Sequence, residues 1–218
     1  LIKLVTLSYL EGFYYKPRID LELLERYREG LIVLSACLKG KIARFILEDK
    51  INQAYKAADD YYQIMQKGNF YLELMDNGLK EQRQVNRYLL KISRDLGIPV
   101  VATNDVHYIN KEDAFAHEVL LCIQTQTTIS DPKRMRFETQ EFYFKSPQEM
   151  YELFKDIPES IKNTLEIAEK CNLELKFSEF HLPVFPIPGS KEPFEFLRDL
   201  CYEGLKKKFP SPSEEVIK

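Results

Sequence analysis

Residues 99–108 read PVVATNDVHY and decide the fold expected for this chain. The apolar run Val-Val-Ala at 100–102 is typical of a strand that is buried on both faces. Polar residues follow it at once, first Thr-Asn-Asp at 103–105 and then His107. The stretch therefore predicts a buried strand that delivers polar side chains to its own carboxyl end.

Asp105 and His107 are the first candidate site residues. Because strand side chains alternate between two faces, the pair is predicted to point the same way, about 7 Å apart. A carboxylate oxygen and an imidazole nitrogen are good ligands for zinc, manganese or iron, and α/β folds place their chemistry at the carboxyl ends of strands. Asp-x-His is a short motif, so a second interpretation stays open, in which Asp105 caps a turn and His107 packs on Tyr108.

Two further apolar runs, at 31–34 and 69–75, predict strands as well, and helical periodicity lies between all three. Alternating strands and helices predict an α/β fold with a parallel sheet or barrel and outer helices. Three strands do not close a barrel, which takes about seven or eight strands. We therefore expect an incomplete barrel whose other strands come from elsewhere.

Cys37 and Glu73 are weaker candidates near the other strands. Cys37 follows the run at 31–34, where it is either a thiolate ligand or a small buried hydrophobic residue. Glu73 lies within the run at 69–75, where it is either a further acid of a site or a residue of the rim that forms a salt bridge.

The second half of the chain is predicted to be mostly helical. Asn110 is expected to cap a helix through residue 124, with His117 as a half-buried polar partner. The side chains expected to pack inward from this helix are those of Phe115, Val119, Cys122 and Ile123. A loop at 125–137 carries the basic residues Lys133, Arg134 and Arg136, which either pair with acids or contact phosphate.

Farther along, the pattern predicts a short strand at 142–144 and helices at 146–154 and 158–171. A β-like segment at 173–177 and a proline-rich linker precede a last helix at 192–209. The side chains expected to face inward from that helix are those of Phe194, Leu197, Leu200, Cys201 and Leu205.

Composition restricts the setting of the protein. A net charge of −3 provides no general basic field for coating nucleic acid. The four cysteines are Cys37, Cys122, Cys171 and Cys201, and their wide spacing favours neither a zinc ribbon nor a disulfide framework, so we expect a reducing cytoplasm. We expect no membrane partner, because no apolar run approaches the roughly 20 residues that span a bilayer. The chain lacks an initiator Met and a signal peptide, and so is expected to be a fragment of a longer protein.

Five segments, in this order, resemble the alpha subunits of bacterial replicative DNA polymerase III. They are YLEGFYYKPRID at 9–20, GLIVLSACLKGKI at 30–42, GIPVVATNDVHYINKEDAFAHEVLLCIQT at 97–125, DPKRMRF at 131–137 and FHLPVFP at 180–186. The resemblance implies that residues 1–172 are the C-terminal portion of the polymerase-and-histidinol-phosphatase (PHP) domain. Residues 173–218 then form a linker and the first segment of the polymerase (palm) region.

The resemblance also implies a distorted seven-stranded (β/α) barrel, of which this chain holds an incomplete part followed by a helical and linker extension. In the family a metal cluster lies at the carboxyl ends of the strands. By resemblance, Cys37 is the ligand after a middle strand and Asp105 and His107 are the closing pair, whereas Glu73 is not a ligand. The family's earlier ligands precede this chain, so its site is expected to be incomplete.

For function, the resemblance implies a DNA-directed DNA polymerase, a nucleotidyltransferase, in the parent protein. Magnesium and the acidic residues of polymerisation would lie downstream, so we expect no catalytic residue in this chain and no activity of it alone. Zinc, manganese or iron in the PHP site would support 3′–5′ exonuclease proofreading. The implied partners are primer–template DNA, deoxynucleotides, the proofreading subunit, the sliding clamp and the clamp loader.

Two alternatives stay open at this point. In the first, the domain is a non-catalytic docking module for the proofreading subunit. In the second, the chain is a free-standing metal-dependent phosphoesterase. The presence of Cys37 and His107 argues against a vestigial metal site. The linker at 180–186 and the helix after it lead onward to another domain, which argues against a free-standing enzyme.

Overall fold

The computed structural model describes residues 1–66, 68–177, 179–180, 182–189, 191–209, 211 and 213–214. The chain divides into two units, Leu1–Asn172 and Leu173–Lys218. Assigning the first unit to a PHP portion and the second to a polymerase segment stays a prediction.

Strands and helices alternate through the first half of the chain, with helices predominating afterwards. The strands are β1 (Val33–Leu34), β2 (Phe70–Leu74) and β3 (Val100–Ala102). The helices are α1 (Ile2–Leu10), α2 (Leu21–Arg26), α3 (Lys41–Leu47), α4 (Ile51–Met65), α5 (Lys80–Leu96), α6 (Ala114–Gln124), α7 (Pro147–Leu153), α8 (Pro158–Lys170) and α9 (Pro193–Lys208). A short 3₁₀ turn, Lys111–Asp113, leads into α6.

The three strands form one parallel sheet in the order β1-β2-β3. Val33 pairs with Phe70 at one junction, and Glu73 pairs with Val101 at the other. Parallel strands need crossover connections, and here α3 and α4 connect β1 to β2, whereas α5 connects β2 to β3. The predicted α/β class with a parallel sheet is confirmed.

The helix boundaries follow from local capping. The Asp20 carboxylate accepts a hydrogen bond from the backbone N–H of Leu23 at 2.8 Å and begins α2. Ser146 and Glu149 form a reciprocal capping box at the start of α7, as the sequence predicts. Gly97 ends α5 in the left-handed conformation, with φ of 68°, and the chain turns directly into β3.

The core lies between the sheet and helices α3, α4 and α5. Helix α4 packs closely because three alanines, Ala54, Ala57 and Ala58, face the interior. Phe70 of β2 and Ile92 of α5 are fully buried within this core. The apolar face of α5 and the alanine face of α4 thus both cover β2, the central strand that carries Glu73.

The two edges of the sheet differ. At β3, helix α8 packs along the strand, and Asn163 Nδ2 donates to the carbonyl oxygen of Val100 at 2.7 Å. At β1, an apolar groove of about 440 Å³ lies beside the strand. The groove is lined by residues of α1 and of the approach to β1, among them Leu1, Leu4, Val5, Leu31 and Ile32.

Three predictions about residues 110–177 are wrong. Phe115, Val119 and Ile123 of α6 are exposed, because this helix contacts the rest of the chain through Leu121 and Cys122. The expected strand at 142–144 is reduced to a single parallel bridge between Tyr108 and Tyr143, because the segment that faces it is not a continuous strand: β3 ends at Ala102 and Asp105 is left-handed. Residues 173–177, expected to be β-like, have no regular secondary structure.

The second unit contains α9 and the segment that precedes it. Phe185 stacks on Phe196 with ring centroids 6.0 Å apart, and Lys191 Nζ lies 2.8 Å from Asp199 Oδ2. The side chains predicted to face inward are exposed or half-exposed instead, because the short segment provides no core to cover them; they are Phe194, Leu197, Leu200, Cys201 and Leu205. In the linker, His181 lies outside the described residues.

Among the helices of the described residues, none is both long and apolar enough to cross a lipid bilayer.

Ile92→Ala is expected to lower the free energy of unfolding by about 2–5 kcal/mol, because it opens a cavity between α5 and the sheet. Urea unfolding followed by circular dichroism measures the change. Leu165→Ala on α8 is the matched control, since Leu165 is exposed and its truncation should change stability by no more than about 0.5 kcal/mol. Equal effects of the two substitutions would contradict this placement of the core.

Candidate metal site at the carboxyl ends of the strands

Glu73 joins the carboxyl ends of the three strands. Its backbone N–H donates to Ser35 Oγ, just past β1, at 2.8 Å. Its carboxylate accepts a hydrogen bond from Thr103 Oγ1, just past β3, at 2.7 Å, and another from the backbone of Ala36. Glu73 thus fixes the positions of the segments that lead from β1 to Cys37 and from β3 to Asp105.

The environment of Glu73 favours its protonated form. Burial raises the pKa of Glu73 above its usual value, and the nearby charge of Asp105 raises it further. The hydrogen bonds from Thr103 and Ala36 oppose this shift without cancelling it. The sequence favours a salt bridge for Glu73 at the rim of the sheet. In the structure Glu73 is instead half-buried and hydrogen-bonded to the segments that follow the other two strands.

Asp105 and His107 lie side by side, but not in the extended conformation that the strand pattern predicts. His107 Nε2 lies 3.4 Å from Asp105 Oδ1, and the two side chains are 36% and 30% exposed. The extended conformation stops at Ala102, and Asp105 is left-handed with φ of 50°, so the alternation expected of a strand does not apply. The turn, rather than the strand, brings the two donors side by side.

Aromatic side chains orient the His107 ring. The centroid of the Phe137 ring lies 4.8 Å away and that of Phe142 lies 5.4 Å away, both nearly perpendicular to the imidazole. The backbone N–H of His107 donates to the carbonyl oxygen of Phe142 at 2.8 Å. The loop that carries these phenylalanines thus holds both the backbone and the ring of His107.

His117 of α6 lies against the same cluster. Its ring centroid is 5.6 Å from that of His107 and 5.0 Å from that of Phe137. Burial lowers the pKa of His117, and the nearby His107 lowers it further. His117 is half-buried, as the sequence predicts, and supports the His107 ring from the side of α6.

Asn77 connects the turn that bears Asp105 to the loop that contacts His107. Asn77 is only 1% exposed, and its Nδ2 donates to the carbonyl oxygens of Asn104 at 3.0 Å and Glu141 at 2.9 Å. Gln82 of α5 completes the network, because it donates to Asn77 Oδ1 at 3.0 Å and accepts from the backbone N–H of Asn77 at 2.7 Å. One buried amide therefore sets the distance between the two segments.

Ion pairs and hydrogen bonds anchor the rest of that loop. Tyr143 donates to Glu149 Oε1 at 2.6 Å, which raises the pKa of Tyr143 to about 12 and, with the hydrogen bonds from Ser146, lowers that of Glu149 to about 2. Lys111 Nζ lies 2.5 Å from Glu141 Oε1.

Arg134 anchors the basic loop at 125–137. Arg134 Nη2 lies 2.7 Å from Glu118 Oε1 of α6, so the ion-paired role is confirmed for this residue. The pair fastens the loop that carries Phe137 to the helix that carries His117.

Cys37 lies in a separate small pocket with Glu73 and Met75. The turn that contains Cys37 is tight, because a Cβ on Gly40 would lie 2.5 Å from the carbonyl oxygen of Ser35. Across the described ranges of the chain, no group of three or more His, Cys, Asp or Glu side chains has the arrangement of a metal site. The structure pairs Asp105 with His107, and the role of Cys37 as a third ligand stays a prediction.

Sequence reasoning missed Asn77 and the bridging role of Glu73. Asn77 lies in the sequence Asp-Asn-Gly, which is typical of a turn, and its burial depends on contacts with Asn104 and Glu141, which are distant in the chain. One feature of the sequence could have indicated the burial of Asn77. Gln82 lies in the first turn of α5, and its side-chain amide can pair with another buried amide.

A parallel sheet with acidic and imidazole side chains at the carboxyl ends of its strands defines an α/β domain whose candidate site lies at those strand ends. Residues 1–77 match the family model described as the PHP domain, and PHP domains have a (β/α) barrel fold.

Curated relatives extend this match over nearly the whole chain. The DNA polymerase III subunit alpha of Borreliella burgdorferi is 45% identical over 218 residues, which cover 99% of this chain and 19% of that subunit. The DNA polymerase III subunits alpha of Thermus aquaticus and Treponema pallidum are 42% and 41% identical, over 100% and 99% of this chain and 18% of each subunit. The chain spans about a fifth of the length of these relatives. The predicted resemblance to DNA polymerase III alpha subunits is confirmed.

Asn77→Ala is expected to lower the free energy of unfolding by at least about 2 kcal/mol, because it removes three hydrogen bonds: one to the carbonyl oxygen of Asn104, one of the two to the carbonyl oxygen of Glu141, and the one from the side-chain N–H of the buried Gln82. Urea unfolding measures the loss. Asn52→Ala, at an exposed position of α4, is the control and should stay within about 0.5 kcal/mol of the wild type. A loss for Asn77→Ala no larger than that of the control would rule out the clamp.

Glu73→Gln is expected to raise the melting temperature at pH 7, with a gain that shrinks as the pH falls towards 4. Glutamine keeps an oxygen for the hydrogen bond from Thr103 but has no charge to bury. Because the folded-state pKa of Glu73 is raised, the unfolded chain loses this proton first, so the penalty is absent below the unfolded pKa near 4.5 and complete above the folded pKa.

Thermal melts between pH 4 and pH 7 measure this difference. Glu169→Gln, at an exposed position of α8, is the control and should show no such dependence on pH. A stability difference for Glu73→Gln that is constant across this range would show that Glu73 is not titrating abnormally.

Proposed function

We propose that the chain is part of a bacterial replicative DNA polymerase and that its PHP portion binds divalent metal ions. The observation that carries the proposal is the match to DNA polymerase III alpha subunits along nearly the whole chain. The parent protein would synthesise DNA on a primer–template from deoxynucleotides, with magnesium at acidic residues outside this chain. This chain alone would hold no polymerase residue.

The Asp105–His107 pair supports the metal part of this proposal. The two donors are of types that zinc, manganese and iron accept, they are within 3.4 Å of each other, and each remains about one-third exposed. The side-chain oxygen of the neighbouring Asn104 is buried and has no hydrogen-bond partner within the described part of the chain, which marks the turn as a polar region that can accept a further bond.

In the proposed site, Asp105, His107 and Cys37 would hold metal together with ligands from elsewhere in the parent. A bound divalent metal would polarise a phosphodiester oxygen and lower the pKa of a water molecule. The residues of this chain would orient the site: Phe137 and Phe142 restrict the His107 ring. Hydrolysis of a phosphodiester in this way would give 3′–5′ exonuclease proofreading.

The groove beside β1 supports an incomplete barrel. One sheet edge is closed by α8, whereas the other faces apolar side chains from α1. Further strands of a distorted seven-stranded barrel would pair along β1 and cover that groove. The first unit would then be the C-terminal portion of the PHP domain, and the second unit the linker and first segment of the palm region.

A docking role is the second candidate function, and the exposed side of α6 favours it. Phe115, Leu120 and Ile123 are more than 60% exposed, an apolar surface of the kind that protein partners cover. The proposed partners of the parent are the proofreading subunit, the sliding clamp and the clamp loader, in the bacterial cytoplasm. A free-standing metal-dependent phosphoesterase is the weaker alternative, because the relatives are polymerase subunits.

Asp105→Asn in the full-length subunit is expected to lower bound zinc, manganese or iron by at least about tenfold, because it removes a charged ligand from the pair. Any 3′–5′ exonuclease rate should fall with it, whereas primer extension should be unchanged. Elemental analysis after dialysis and a primer-degradation assay measure the two effects.

Asp156→Asn is the matched control, since it removes an exposed carboxylate between α7 and α8. Cys37→Ala combined with His107→Ala tests the other proposed ligands in the same assays. Metal content and exonuclease rate that stay unchanged in both ligand variants would reject the metal site and favour the docking role.

A further inference from the structure

A loop that follows α1 presents a row of exposed aromatic rings. This aromatic loop, residues 13–18 with the sequence FYYKPR, contains Phe13, Tyr14 and Tyr15, which are 57%, 64% and 81% exposed. Tyr9, at the end of α1, is 58% exposed and stacks on Phe13 with ring centroids 6.2 Å apart and planes inclined by 22°. Four rings thus face solvent within one short segment.

The exposure of these rings is built into the loop. A Cβ on Gly12 would lie 2.0 Å from the carbonyl oxygen of Arg18, so only glycine allows the two ends of the loop to meet. Within the loop, the backbone N–H of Tyr14 donates to the carbonyl oxygen of Lys16 at 3.1 Å. Between them Tyr15 is left-handed, with φ of 59°, a strained conformation that directs its ring outward.

Two cations follow the rings in the same loop. The Arg18 guanidinium carbon lies 5.3 Å from the centroid of the Tyr14 ring, and Lys16 is exposed between the two tyrosines and Arg18. The segment 13–18 contains no acidic residue. Exposed rings beside cations complement a ligand that carries both flat apolar groups and negative charges.

We propose that the aromatic loop and Tyr9 form a contact surface for single-stranded nucleic acid. Unpaired bases stack on aromatic rings, while Lys16 and Arg18 neutralise the adjacent phosphates. A duplex offers no free base faces to stack on these rings, so it is a poorer ligand for this surface. The inference does not depend on metal at Asp105 and His107, since none of its residues belongs to that pair.

Fluorescence anisotropy of a labelled oligothymidylate of about 12 nucleotides, titrated with the 218-residue chain, tests the proposal. Replacing Tyr14 and Tyr15 together by leucine should weaken binding at least about tenfold, because leucine keeps apolar surface but cannot stack with a base. Lys16→Gln with Arg18→Gln should weaken binding and flatten its dependence on salt. Circular dichroism and a thermal melt check that each variant is folded.

Two controls make the result specific. Arg87→Gln with Lys91→Gln removes the same charge from an exposed part of α5 and should leave binding within about twofold of the wild type. Tyr151→Leu removes a half-exposed ring from α7 and should do the same. A duplex of equal length should bind more weakly than the single strand.

The proposal is overturned by an absence of oligothymidylate binding, by equal binding of duplex and single strand, or by equal losses in the loop variants and the controls. It is also overturned if the folded double leucine variant binds as tightly as the wild type. Because binding is measured with a chelator present, failure of the metal site in the parent protein would not produce any of these results.

Discussion

Burial of one carboxyl group between three strand ends is the constraint on which the rest of the first unit depends. Glu73 cannot be moved to solvent without breaking the contacts that its backbone and side chain make with Ser35 and Thr103. Those contacts fix where the chain leaves β1 and β3. The cost of burying the carboxyl group is therefore linked to the geometry of the candidate site, and the protonated form reduces that cost.

The hydrogen bonds of Asn77 connect the strand ends to the loops. Asn77 lies three residues after the end of β2, the strand that carries Glu73, and its side chain reaches the turn after β3 and the loop that contains Glu141. Both donors of its amide are used on backbone carbonyl groups, which accept bonds whatever side chains the loops carry. The position of Asp105 relative to His107 thus depends on backbone contacts that one side chain organises.

Much of the fold can be predicted from the sequence, because apolar runs and capping residues are local signals. The strand at 100–102, the cap at Asp20 and the capping box at Ser146 all follow from neighbouring residues. The exposed face of α6 could not be predicted, since periodicity shows that a helix has an apolar side but not whether anything covers it.

The candidate site can also be predicted from the sequence only in part. Its donors, Asp105 and His107, are evident from a three-residue motif, whereas their 3.4 Å separation depends on a left-handed turn that no propensity of aspartate dictates. The role of Asn77 could not be predicted, because a buried amide in a turn sequence is recognised only when residues about 30 and 60 positions away are seen to contact it.

The packing around His107 has a consequence for the entropy of ligand binding. Rings of Phe137, Phe142 and His117 already restrict the imidazole in this structure, so its rotational freedom is lost when the chain folds and not when a ligand arrives. An imidazole whose rotation is restricted in this way favours ligands that approach from one direction, because it cannot turn towards a ligand in another position. Selectivity at this position is therefore a property of the aromatic cluster as much as of the histidine.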